Sequence, residues 1–205
     1  MGTNTNIEEL KTAFCEALVK TGRKNIDKVI STLDELGFFT APASTRFHLN
    51  CEGGLLIHSY NVYEMAIKVR EIACEREPAL AERLPLDSIA IAALLHDTCK
   101  AHIYRKCIKK EKDAYGCWSD VEGYEVDNTD LPIGHGEKSV IMLLRMGLEL
   151  TDDEIMAIRW HMGPWDLAFQ SYEQKTNLNS AKDLCPLCTV ISTSDGIASG
   201  LLERK

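Results

Sequence analysis

The sequence predicts an all-α fold, a helical bundle with one small β-hairpin inserted in it. Three observations predict this. Apolar residues recur at three- and four-residue steps through most of the chain. Helix stops and starts such as Gly22, Gly37, Pro78 and Thr151 fall between those segments. Only residues 103–127 are rich in β-compatible residues around a turn-forming centre. A chain of 205 residues, 45% hydrophobic and 26% charged, suits one domain with a sizeable core. We divide it into an N-terminal helical segment, 1–40, packed on the core, and a main domain, 41–205, with the hairpin as its insert.

The elements follow in order. Ile7–Lys20 and Ile26–Leu36 have helical periodicity, stopped by Gly22 and Gly37. Pro42–His48 is a loop. A long helix runs from Gly54 to Arg76 and is ended by Glu77-Pro78. Asp87 is the expected N-cap of a helix reaching Asp97. Ile103–Lys110 and Cys117–Val126 form the hairpin strands around Lys112–Gly116, with a surface loop as the alternative. Thr151-Asp-Asp-Glu154 is a capping box opening a helix that ends near His161. The last helix starts at Pro186, a residue suited to a first turn, and runs to about Leu202.

Charge and composition narrow the partners. A net charge of −8 repels long nucleic acid. One basic stretch stands out: Lys100, Arg105, Lys106, Lys109, Lys110 and Lys112 against Glu111 alone, with Tyr104, Tyr115, Trp118 and Tyr124 nearby. It suits phosphates and stacked bases, or else a solvated strand edge. Apolar runs such as Ile89–Leu95 are too short to span a bilayer, so no membrane partner is expected. Residues 1–6 have neither the basic nor the apolar region of a secretory signal, which makes the cytoplasm the expected location. Eight cysteines then read as reduced thiols. Cys185 and Cys188 have zinc-pair spacing but no second close pair, so they read as small buried side chains. The sequence selects no oligomeric state.

The chemistry lies in polar residues on apolar faces. Leu55, His58, Val62, Ala66 and Val69 share a helix face, as do Ile89, Ala93, His96 and Lys100, with Asp97 one step round. Ile158 shares a face with His161, and Ile191 with Asp195, Ala198 and Leu202. A carboxylate on a buried stripe costs several kcal/mol, of order, unless it is paired or binds a metal. Any one of these histidines alone reads as a hydrogen-bonded core residue; the ordered set points to a metal. Nitrogen and carboxylate ligands suit divalent iron, manganese, nickel or zinc better than magnesium.

These residues resemble the HD-domain superfamily of metal-dependent phosphohydrolases. The resemblance rests on Gly53-Gly-Leu-Leu-Ile-His58, Leu94-Leu-His96-Asp97-Thr-Cys-Lys100, Gly134-His135-Gly136, Trp160-His161 and Asp195, and covers roughly residues 42–202. It implies that His58, His96, Asp97 and Asp195 bind a first metal. It also implies that His135 and His161 bind a second, with Asp97 bridging, and that a metal-activated hydroxide attacks phosphorus. The expected activity is cleavage of a phosphoester or phosphoanhydride in a nucleotide-like small molecule. The alternatives are a di-iron oxygenase of a small polyol or phosphonate, and a metal-containing protein that binds a nucleotide without turnover. Asp97 and Lys100 are the candidate catalytic residues. Lys100, Arg46, His48, Arg105 and Lys138 are the candidate substrate contacts; His48 also reads as a plain loop histidine, and Lys138 as a surface lysine. Trp160, Trp165 and Phe169 read as core packing or as walls for a base. Cys99 reads as packing.

Overall fold

In the computed structural model, which describes residues 6–112, 115–127, 131, 133–166 and 171–203, the chain opens with α1 (Ile7–Lys20) and α2 (Ile26–Glu35). The Asn6 side chain caps α1 by accepting from the Glu8 N–H. Phe14 and Leu18 of α1 and Val29 and Leu33 of α2 are buried, and the Phe14 ring meets Phe38 and Phe39 at centroid distances of 5.4 and 5.5 Å. This segment therefore shares one hydrophobic core with the rest of the chain.

The long helix α3 (Gly54–Arg76) has the expected bounds and buries Leu55, His58, Val62 and Ala66 along one stripe. A single turn, α4 (Leu80–Arg83), leads to α5 (Leu86–Leu95). Every residue from Ser88 to Leu95 is buried, and a helix apolar all round belongs in the centre of a bundle. Two expectations are corrected here. The N-cap is Pro85, not Asp87, whose carboxylate instead accepts from Arg23 at 3.1 Å. The helix also stops at Leu95, with His96 as C-cap, so His96 and Lys100 do not continue one helical stripe; a turn intervenes before α6 (Lys100–Ile103).

The hairpin is present. Strand β1 (Tyr104–Lys112) pairs antiparallel with β2 (Trp118–Val126), in a register running from Tyr104 opposite Val126 to Lys112 opposite Trp118. Arg105 faces Glu125 and Lys110 faces Asp120, so β2 offsets part of the positive charge of β1. Then come α7 (His135–Met146) and α8 (Asp152–Arg159), the latter opened by the expected capping box of Thr151 and Glu154. A 3₁₀ turn (Gly163–Asp166), α9 (Tyr172–Leu184), α10 (Pro186–Ile197) and a π turn (Ala198–Leu202) complete the chain. The π turn ends the apolar stripe of α10, leaving Leu202 exposed where burial was expected.

Helix α5 is surrounded by α1, α3, α8 and α10. Arg23, between α1 and α2, ties this arrangement together. It donates to the fully buried carboxylate of Glu154, to Asp87 and to the Glu149 carbonyl. No single helix among the described residues is long and apolar enough to cross a membrane.

Candidate metal centre

Two close backbone approaches place the histidines. A Cβ on Gly54 would collide with the carbonyl oxygen of Leu49, so glycine is needed for the preceding loop to press on the first turn of α3. A Cβ on Gly136 would likewise collide with the Arg159 carbonyl, where α7 meets α8. His58 thus sits in the second turn of α3, and His135, the first residue of α7, comes beside His161, just beyond α8. His96 and Asp97 lie at the end of α5, in the middle of the bundle. Asp195 reaches in from α10.

The six expected ligands converge. Asp97 divides them. Its Oδ2 lies 3.2 Å from His96 Nε2 and 3.5 Å from His58 Nε2, and its Oδ1 lies 3.6 Å from His161 Nε2 and 3.8 Å from His135 Nε2. Asp195 Oδ1 is 3.4 Å from His58 Nε2 and also groups with His96 and His161. Each Asp97 oxygen therefore faces its own pair of imidazoles.

The donor set fits cations. His96 Nδ1 donates to the Ala93 carbonyl at 2.8 Å and His161 Nδ1 to the Ile158 carbonyl at 2.7 Å. His58 Nδ1 lies 3.0 and 3.1 Å from the two oxygens of Glu203. In the neutral rings these contacts leave each Nε2 as a bare lone pair. The Nε2 atoms approach closely: His58 to His96 at 3.3 Å, and His135 to His161 at 3.1 Å. Among the described residues, Asp97 Oδ1 is buried without a hydrogen-bond partner. A buried group of acceptors is favourable around positive charge and costly without it.

The electrostatics agree. Burial opposes ionisation of Asp97, but Lys100 and His96 hold its carboxyl well below the usual range. Burial likewise opposes ionisation of Asp195, yet the hydrogen bond with His58 lowers it. Burial lowers the pKa of His96. At His58 burial is outweighed by Asp195 and Glu203, which raise its pKa to about 9.

Of the expected substrate contacts, three line the cavity beside this cluster, which has a volume of about 820 Å³. They are His48, Lys100 and the buried Lys138. The Lys100 ammonium lies 2.6 Å from Asp97 Oδ2. The other two lie away from it. Arg46 is exposed and does not line the cavity. Arg105 is on the outer surface of β1, where its guanidinium pairs with Asp127. Most of the basic stretch lies on the hairpin, with Lys106 on Glu52 and Lys109 on the Thr45 carbonyl. Trp165 lines the cavity while 88% exposed, whereas Trp160 packs against the core. Phe169 lies outside the described residues. Cys99 is buried, and burial pushes its thiol up to about 11, which suits packing. Cys185 and Cys188 are buried and belong to none of the potential ligand groups among the described residues.

Sequence reasoning missed Glu203, which reaches the cluster only through the π turn and leaves no periodic signal.

Residues 55–199 match the family described as HD domain. The dihydroneopterin 2',3'-cyclic phosphate phosphodiesterase of Methanocaldococcus jannaschii is 31% identical over 93 residues, 45% of this chain. That match spans only about a third (34%) of the relative's length. No solved structure matches. A family match over more than half of the sequence, spanning His58, the His96-Asp97 pair, His135, His161 and Asp195, means that the chain belongs to the HD domain family.

Proposed function

We propose that this chain is a metal-dependent phosphohydrolase that cleaves a phosphoester or phosphoanhydride in a nucleotide-like small molecule. The observation that carries this reading is Asp97, turning one oxygen to His58 and His96 and the other to His135 and His161 at the floor of an open cavity. His58, His96, Asp195 and Asp97 Oδ2 would hold one divalent ion; His135, His161 and Asp97 Oδ1 would hold a second. Such ions acidify water and take up the charge of a phosphoryl group in transfer.

The remaining roles fall to the chain itself. Lys100 is held on Asp97 and projects its charge where a phosphate oxygen would lie. Lys138 adds a second ammonium to the same wall. Ile103, Met162 and Trp165 give the cavity an apolar side suited to a planar heterocycle. The archaeal relative is named for action on a cyclic phosphate, which supports a phosphodiester as the bond class.

The test is to purify the protein without chelator and measure its metal content. It is then screened with nucleoside mono-, di- and polyphosphates and cyclic phosphates in the presence of Mn²⁺, Fe²⁺, Ni²⁺ or Mg²⁺. Phosphate or phosphomonoester release is expected with at least one metal. A fully loaded protein that hydrolyses none of these substrates, or that consumes oxygen instead, would overturn the proposal.

A further inference from the structure

We infer that Glu203 is a positioning residue for the metal centre, holding His58 through its Nδ1–H so that Nε2 faces the cluster. This rests on the metal-site reading above. Glu203 lies beyond the stretch matched to the family, which ends at residue 199. Its side chain is only 1% exposed.

The π turn is what delivers it. The Glu203 N–H donates to the Ala198 carbonyl at 3.1 Å, a five-residue step that a regular α-helix does not make. This step carries the carboxylate onto α3. There it lies 3.0 and 3.1 Å from His58 Nδ1 and accepts from Asn61 Nδ2 at 3.0 Å. His48 Nε2, at 3.9 Å, is too far for a hydrogen bond. His96 and His161 are oriented by backbone carbonyls of their own segments. His58 has a carboxylate in that position. A carboxylate on the outer nitrogen fixes the tautomer and makes the inner nitrogen a stronger ligand.

The test uses binding of Zn²⁺ alone, with no substrate. Wild type, E203Q and E203A are stripped with a chelator and titrated with Zn²⁺ against a chromophoric competitor. Both variants are expected to bind at least one Zn²⁺ about 10–100-fold more weakly than wild type. A purely structural role would lower the melting temperature and leave the affinity unchanged, and that result would overturn the inference. Wild type that binds no Zn²⁺ would overturn the metal-site reading and the inference together. If the variants do not fold, ¹⁵N-histidine spectra of Zn²⁺-loaded wild type decide the point. Protonation of His58 at Nδ1 supports the inference; protonation at Nε2 overturns it.

Discussion

Replacing Asp97 by alanine tests both halves of the centre at once. Its two oxygens face separate imidazole pairs, with nitrogens at 3.2 and 3.5 Å on one side and 3.6 and 3.8 Å on the other. Without them the first group keeps His58, His96 and Asp195, and the second keeps only His135 and His161. The two-ligand group is expected to lose its ion, so metal content should fall by at least one ion per chain. Metal-ion catalysis contributes several kcal/mol, and each 1.36 kcal/mol is tenfold in rate, so turnover should fall by at least about 10³-fold. Elemental analysis of protein purified without chelator, together with kcat on the best substrate from the screen, reads both effects. A folded D97A protein with wild-type metal content would refute the bridging geometry. Wild-type turnover would remove the cluster from the chemistry.

Other expectations are equally direct. K100A should raise KM for a phosphate substrate about tenfold or more, the worth of one charge-assisted contact, and leave metal content unchanged; normal steady-state kinetics would exclude Lys100 from the site. In chelator-stripped protein His58 has a pKa of about 9, above its usual 6.5, so a metal must displace a proton to reach Nε2. Affinity should then rise by up to about tenfold per pH unit from pH 6.5 to 9, and calorimetry in buffers of different ionisation enthalpy would detect the released proton; pH-independent affinity refutes this. The same raised pKa stabilises the metal-free fold, fully below about pH 6.5 and progressively less as pH climbs through 9. R23A leaves the Glu154 carboxylate buried beside Asp87 and should destabilise the protein by about 3 kcal/mol, as read by urea denaturation; a loss below about 1 kcal/mol would mean Glu154 finds another partner. W165A should raise KM for a substrate with a planar base and leave that for a base-free phosphodiester unchanged.

The parts of the site legible in the sequence were those fixed by local rules. Gly53-Gly54 and Gly134-His135-Gly136 mark places where backbone must come close, and each carries its histidine at a set distance. The capping box at Thr151 dated the start of α8, and with it the position of His161. Where long-range contacts decide, local signals misled. Asp87 has the chemistry of a cap, but Arg23 claims its carboxylate across 64 residues of sequence. Helix α9 buries only Leu178 and Ala181, too little apolar surface to show a periodicity. Arg105 is basic and adjacent to the motif, yet strand register turns it away from the cavity toward Asp127. Glu203 depends on a π turn, and no sequence periodicity announces an i→i+5 step.

The charge of the centre links these observations to substrate choice. Asp97, Asp195 and Glu203 contribute three negative charges, offset by Lys100, by Lys138 on the same wall and, in the metal-free protein, by the protonated His58. With a chain of net charge −8 around it, such a balanced cluster offers a phosphate little attraction by itself. A divalent ion that displaced the His58 proton would make it positive, and a second would add to that. On the proposed reading the cations would act at capture as well as at cleavage. This also explains why Lys100 is held on Asp97: its charge favours ionisation of the shared carboxylate while its ammonium stays at the rim of the cavity. A site of this kind would select for the phosphate first, and would leave discrimination of the attached group to the apolar wall around Trp165.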